Sequence, residues 1–443
     1  MNCQESCVRS IFPPILLAML LLVSGCGGSS VSTSTTGTST GSSGSSSGSN
    51  VLSISVNGGP TASQLDGAIY VNGAFASATI CVPGSTTNCV TVDNLLVDTG
   101  SVGLRVLESA VSSLGLPTVD ASNGAAAFDC VNFVDDSFLW GTVQKADVTL
   151  GGETASNQPL QVISSSATGI PASCSNGSTL NENSQASLGA NGILGVGSQP
   201  NDCGSICSPS SGLSSPPTPA YYTCSGSSCS PAFIATANQV TNPVVLFPTD
   251  NNGVIVELPS VSGSAATTTG SLVFGIGTES NNQLPSTATI FTLTCDDFTT
   301  EFDNNTYGIT NATTCAGPGS FIDSGSNGLY FPNATNLTAC PSNTPAGDLS
   351  SFYCPASTVN LSATNSGGNG KSKSSSFSVA NAETLFTAPT TASDAALSGL
   401  AGLNPTGFGF DWGLPFFYGV NVYSSIDGQS MPSGAPAAPW WAY

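Results

Sequence analysis

Histidine is absent from all 443 residues. That excludes Ser-His-Asp and Cys-His nucleophilic catalysis, histidine-ligated zinc, and imidazole as a general base. Positive charge is nearly absent as well: 5 Lys+Arg stand against 26 Asp+Glu, for a net charge of −21. So few cations cannot neutralise a phosphate backbone, and a nucleic-acid partner is excluded. Charged residues of both signs make up only 7% of the chain, against roughly a quarter in ordinary globular domains. A membrane-spanning run is missing too. The apolar stretch Ile11–Val23 is interrupted by Pro13 and Pro14 and is too short to cross a bilayer. Still, 39% of residues are apolar, enough to bury a core rather than remain disordered.

What Ile11–Val23 does fit is the h-region of a signal peptide, with Arg9 before it. It ends in Val23-Ser24-Gly25-Cys26. Small residues before a cysteine resemble the bacterial lipobox, which implies cleavage after residue 25 and a diacylglycerol on the Cys26 sulfur. Two acyl chains are enough for stable anchoring. Gly27–Asn50 follows as an almost pure Ser/Thr/Gly tract, a flexible tether with a random-coil span of about 27 Å. The expected order is signal peptide 1–25, lipidated Cys26 and tether 26–50, an N-terminal lobe 51–243 and a C-terminal lobe 244–443. The expected place is the bacterial cell envelope, at the outer membrane, touched only through the lipid.

Cysteine usage agrees with export. Setting aside Cys3, Cys7 and Cys26 leaves Cys81, Cys89, Cys130, Cys174, Cys203, Cys207, Cys224, Cys229, Cys295, Cys315, Cys340 and Cys354. An even set in an exported chain reads as six disulfides. Cys81–Cys89 and Cys340–Cys354 are the local pairings to expect, although spacing does not fix connectivity. Without histidine, and with no CxxC, no metal or other cofactor is expected.

From Val51 onward, short β-branched runs such as Ala78–Val82, Cys89–Val97, Gly141–Leu150 and Leu272–Gly277 are separated by Gly, Asn, Ser and Pro, the pattern of an all-β protein. Helical periodicity is confined to Val106–Leu114 and Asp394–Leu403. The Ser/Pro/Cys-rich Gln199–Ser230 and the Gly/Ser-rich Asn365–Ser376 read as surface loops. The aromatic end, Pro439–Tyr443, is expected to dock on its own domain.

The chemistry lies in an internal repeat. Leu96-Val97-Asp98-Thr99-Gly100-Ser101-Val102-Gly103-Leu104 recurs as Phe321-Ile322-Asp323-Ser324-Gly325-Ser326-Asn327-Gly328-Leu329. Each copy has a later echo at similar spacing, Gly192-Ile193-Leu194-Gly195 and Trp412-Gly413. An apolar strand would deliver each aspartate to the lobe surface, and the hydroxyl and glycine permit a tight turn whose N–H groups bond the carboxylate. Two such turns face to face would hold two carboxylates that cannot both ionise. One then serves as base and the other as acid, with no need of histidine or metal.

These motifs resemble the two catalytic signatures of pepsin-like aspartic peptidases, over roughly Val51–Asp427. The resemblance implies an all-β, two-lobe acid-protease fold with a cleft between the lobes. It implies Asp98 and Asp323 as the catalytic pair, supported by Thr99, Gly100, Ser101, Ser324, Gly325 and Ser326. It also implies an endopeptidase that takes an extended peptide or protein as a monomer. Phe133, Val134 and Trp140 fall in the flap and cleft region of that alignment. The lipobox, Cys81 and Cys89, and the Phe410–Phe417 ending are also similar to a family of uncharacterised proteobacterial proteins. Three departures bear on peptide clamping. No tyrosine lies between Tyr70 and Tyr221, where the family keeps its flap tyrosine. Arg105 replaces a tryptophan and is expected as a solvated or salt-bridged cation. Asp411 stands where an apolar residue is usual. They keep two further readings open: a non-catalytic envelope module binding a peptide or protein in the same cleft, and a structural protein whose cleft is filled by Gln199–Ser230.

Overall fold

Each Asp-Thr/Ser-Gly signature folds as strand, turn and returning strand, because an apolar run with flanking glycines can be buried on both faces. In the first copy the strand Cys89–Asp98 carries Leu95, Leu96 and Val97, all fully buried. Leu95 and Val97 enter the main core, while Leu96 packs on the opposite face with Phe75, Phe133 and Ile193. Burying each such side chain stabilises the fold by about 2 kcal/mol. The computed structural model describes residues 50–60, 69–166, 169–332, 337–388, 390–391, 393–404 and 409–443. The expected signal peptide, Cys26 and the tether up to residue 49 lie outside them.

The repeat is also a repeat of topology. In the first lobe Cys89–Asp98 runs parallel to Gly192–Val196, which is antiparallel to Val102–Leu107, which is parallel to Glu153–Ile163. In the second lobe Phe321–Ile322 runs parallel to Asp411–Trp412, which is antiparallel to Leu329–Phe331, which is parallel to Ala401–Leu403. Strand order and direction match throughout. The echoed glycines have a steric cause. A Cβ on Gly195 would lie 2.8 Å from backbone atoms of Val102, and one on Gly413 would lie 2.0 Å from the Gly328 carbonyl oxygen. The strand passing behind each aspartate approaches the returning strand too closely for any side chain.

The N-terminal strand Val51–Gly58 pairs with Tyr70–Cys81 on one side and with Thr268–Phe274 on the other. It thereby joins the lobes into one 15-stranded sheet that ends in the C-terminal strands. The chain is all-β with two lobes; helices among the described residues are single short turns such as Glu108–Val111 and Ala382–Thr387. Trp440–Ala442 is itself a buried strand, paired with Ile290–Thr292 and Val422–Ser425, so the aromatic end docks on its own domain. Six disulfides form: Cys81–Cys89, Cys130–Cys174, Cys203–Cys207, Cys224–Cys229, Cys295–Cys315 and Cys340–Cys354.

Three expectations are corrected. Gln199–Ser230 is not a simple loop: Tyr221–Ser225 and Ser228–Pro231 form a hairpin that extends the sheet beyond Ala127–Asn132, and so it adds to the sheet edge rather than filling the cleft. Asn365–Ser376 is the turn and flanks of the hairpin Val359–Ser366/Ser372–Val379. Asp394–Leu403 is not helical, because Ala396–Leu397 and Ala401–Leu403 are captured by neighbouring strands. In each case strand pairing outweighed local composition.

Candidate active site

The two turns meet at the lobe interface and lock through their hydroxyls. Thr99 N–H donates to Ser324 Oγ (3.1 Å), and Ser324 N–H donates to Thr99 Oγ1 (3.0 Å). The same hydroxyls donate onward, Thr99 Oγ1 to the Ile322 carbonyl (3.2 Å) and Ser324 Oγ to the Val97 carbonyl (2.7 Å). Each lobe thus satisfies buried backbone groups of the other. Sequence reading assigned Thr99 and Ser324 a supporting role, and the structure gives that role a geometry.

The lock sets the aspartates side by side. Gly100 N–H donates to Asp98 Oδ1 (2.8 Å) and reaches Asp323 Oδ1 (3.2 Å). Gly325 N–H donates to Asp323 Oδ1 (2.8 Å), and Ser326 Oγ donates to Asp323 Oδ2 (2.9 Å). Asp98 and Asp323 hydrogen-bond each other, and both are fully buried. Ser101, the counterpart of Ser326, is also buried, and its Oγ has no hydrogen-bond partner among the described residues. Burial pushes Asp323 well above the usual carboxylate range. The charges of Asp98 and Asp411 and the hydrogen bond with Asp98 add to this, while the Gly325 N–H opposes it. Burial, the neighbouring charges and the shared hydrogen bond thus favour the protonated form of Asp323 beside its partner carboxyl group.

Asp411 is fully buried at register with Phe321 and Tyr330. It acts electrostatically on Asp323 and Tyr330, so the extra carboxyl group does reach the pair.

The hairpin between Ala127–Asn132 and Phe138–Leu150 holds the segment expected as a flap, and is termed the flap. Its tip is tied by Phe133 N–H to the Ser137 carbonyl and by Ser137 N–H to Asp135 Oδ1. Val134 at the tip packs against an apolar cluster that joins Val71 of the first lobe to Tyr330, Leu349, Phe352 and Leu400 of the second. Phe133 faces the first lobe, beneath the flap, with Leu96, Leu107 and Ile193. Trp140 is placed elsewhere, stacked on Phe128 at 5.4 Å and edge-on to Tyr222 at 5.3 Å. The Cys130–Cys174 disulfide and the bond from Asn132 Nδ2 to the Cys174 carbonyl hold the flap base.

Four residues beside the pair carry no sequence motif. Tyr70 is raised by burial, then by Tyr330, Glu182, Asp98 and Asp323, which puts its phenol among the cleft groups. Tyr330 donates to Asn327 Oδ1. Glu182 is 2% exposed and is pushed up to about 8, by burial first and then by the Asp135 charge. Asn72 bonds the Asn327 and Leu397 carbonyls through Nδ2 and accepts from Leu397 N–H and Tyr418 Oη, clasping the second lobe from the first. Only Tyr70 left a trace in the sequence, as the edge of the tyrosine-free span.

Arg105 is a buried ion-pair centre rather than a solvated cation. It pairs with Asp129 and, at 3.2 Å, with Asp202, and bonds Gln161 Oε1 at 3.0 Å. Tyr221 donates to Asp202. Burial raises both carboxyl groups against the pull of Arg105, Asp202 to about 7.

A family described as a protein of unknown function (DUF3443) matches residues 46–443. Among solved structures, an aspartic proteinase from Irpex lacteus is similar, with 18% identity, a TM-score of 0.43, and coverage of 85% of this chain and 93% of that one. No curated protein matches.

Proposed function

The chain belongs to the DUF3443 family, and we propose that it is an aspartic-type peptidase of the bacterial envelope, exported and held by a lipid on Cys26. The observation that carries the reading is the buried, hydrogen-bonded pair Asp98–Asp323, with Asp323 pushed toward its protonated form by burial and by its neighbours' charges. In the proposed reaction an extended polypeptide lies across the cleft, and water sits between the two carboxyl groups. The protonated carboxyl group donates to the scissile carbonyl oxygen while the ionised one takes a proton from the attacking water. The tetrahedral diol collapses as the newly protonated carboxyl group gives its proton to the leaving nitrogen and the other carboxylate takes one from a diol hydroxyl. This breaks the C–N bond, leaves a carboxylic acid product and restores the single proton of the pair.

Val134 packs into an apolar cluster that spans both lobes, and in this reading substrate entry lifts the flap out of it. The same contact supports the second reading, a cleft that binds a peptide without cutting it. Incubation with an unfolded protein from pH 2 to 7 separates the two. A peptidase produces fragments that disappear in Asp98→Asn. A folded, fully oxidised protein that produces none over this range, yet retains the polypeptide, would overturn the catalytic reading.

A further inference from the structure

Beyond the pair, the cleft carries an unusual concentration of acid. Glu182 lies on a segment laid along the flap: its N–H donates to the Phe138 carbonyl at 3.0 Å, and Asn183 Oδ1 accepts from Trp140 N–H at 2.8 Å. The groups facing Glu182 are Asp135 on the flap tip and Tyr70 on the strand Tyr70–Cys81. Tyr70 in turn faces Tyr330, Asp98 and Asp323. Every one of these groups is neutral or negative. A second observation points to a ligand. Glu182 Oε2 is buried and has no hydrogen-bond partner among the described residues, a costly state for a carboxyl oxygen with nothing to receive.

Among the described residues, the cations lie elsewhere. Arg105 is held by Asp129 and Asp202. Lys373 Nζ donates to the Tyr443 carbonyl at 2.9 Å. Lys145 lies in the flap hairpin at register with Pro159, and Lys371 lies in the turn before Ser372–Val379. Among the described residues, no ion pair reaches Glu182.

We propose that Glu182 and Asp135 form a cation subsite beside the flap, which receives the lysine or arginine side chain of a polypeptide lying in the cleft. The proposal rests on the peptide-binding reading of the cleft and adds its substrate class. An ammonium or guanidinium group entering between the flap tip and Glu182 supplies the missing donor to Oε2. It also meets charge complementarity on two sides. Because Glu182 is protonated when the subsite is empty, capture of a cation releases its proton. Affinity for a cationic peptide should therefore rise by up to about tenfold per pH unit below the titration of Glu182, and level off above it.

The test uses two peptides identical except for one lysine replaced by norleucine, which keeps the stem and removes the charge. Binding to the protein carrying Asp323→Asn is measured by calorimetry from pH 5 to 9, so that no cleavage intervenes. The lysine peptide is expected to bind at least tenfold more tightly at pH 8, with the gap shrinking toward pH 5. Glu182→Gln should abolish most of the gap. Asp135→Asn, on the partly exposed flap tip, should reduce it and serves if Glu182→Gln fails to fold. Equal affinities for the two peptides, or no binding of either, would overturn the subsite. A lysine preference in a protein whose wild-type form cuts neither peptide would uphold the subsite and count against the peptidase reading alone.

Discussion

Replacing Ser324 by alanine tests the lock between the lobes. The Ser324 hydroxyl accepts from Thr99 N–H and donates to the Val97 carbonyl, both across the interface and both buried. Ser324→Ala leaves those two backbone groups without partners, and each unsatisfied buried group costs about 1–3 kcal/mol. The expected destabilisation is therefore about 2–5 kcal/mol, a large share of the stability of an ordinary domain. Thr99→Val, nearly equal in volume, removes the two reciprocal bonds to the Ile322 carbonyl and from Ser324 N–H, and should cost a similar amount. Urea unfolding at pH 5 would measure both, followed by tryptophan fluorescence and by circular dichroism to check that the transitions coincide. The exposed Ser122→Ala is the control, expected within about 0.5 kcal/mol of wild type. A loss below about 0.5 kcal/mol for both lock variants would refute the reasoning, because the hydroxyls would then be bystanders to lobe docking.

Other predictions follow from the same geometry. Asp411→Asn removes a charge that raises Asp323, so the basic limb of the pH–rate profile should move to lower pH; an unchanged profile would place Asp411 outside the pair's field. Glu182 has a folded-state pKa of about 8 against an ordinary 4.5. Its contribution to stability is thus fully present below about pH 4.5 and is lost as pH rises toward 8. Thermal melts should accordingly show a more stable protein at pH 5 than at pH 8.5, with the slope reduced in Glu182→Gln; a protein destabilised between neutral pH and pH 4 would contradict this. The disulfide Cys130–Cys174 has a sequence separation of 44, for which loop entropy predicts about 4 kcal/mol. The paired Cys130→Ala and Cys174→Ala substitutions should lower stability by up to that amount and make the flap strand exchange amide hydrogens faster.

Much of the aspartate pair was legible because its determinants are local. Asp98-Thr99-Gly100-Ser101 and Asp323-Ser324-Gly325-Ser326 each encode a turn within four residues. Gly195 and Gly413 mark the strands that must pass close behind. The apolar runs marked strands, and the even set of twelve cysteines marked the six disulfides. Groups brought in by tertiary contact were not legible. Glu182, Asn72 and Tyr330 belong to no motif and become cleft residues only when the flap and the lobe interface form. Composition also misled at the edges. Cys224–Cys229 clamps a hairpin in a segment otherwise rich in serine and proline. Arg105 read as a solvated or salt-bridged cation; the second holds, but its partners Asp129 and Asp202 could not be named because they are far apart in sequence and meet only in the folded lobe.

The central claim is that the folded protein keeps one proton between Asp98 and Asp323 at neutral pH. Infrared difference spectroscopy of wild type against Asp323→Asn, at pH 7 in the folded state, tests it most directly. The account predicts a protonated carboxylic C=O stretch present in the wild type, lost in the variant, and converted to carboxylate only at markedly alkaline pH. A difference spectrum showing only carboxylate bands at pH 7 would mean that both aspartates are ionised, and the acid–base pair would not exist.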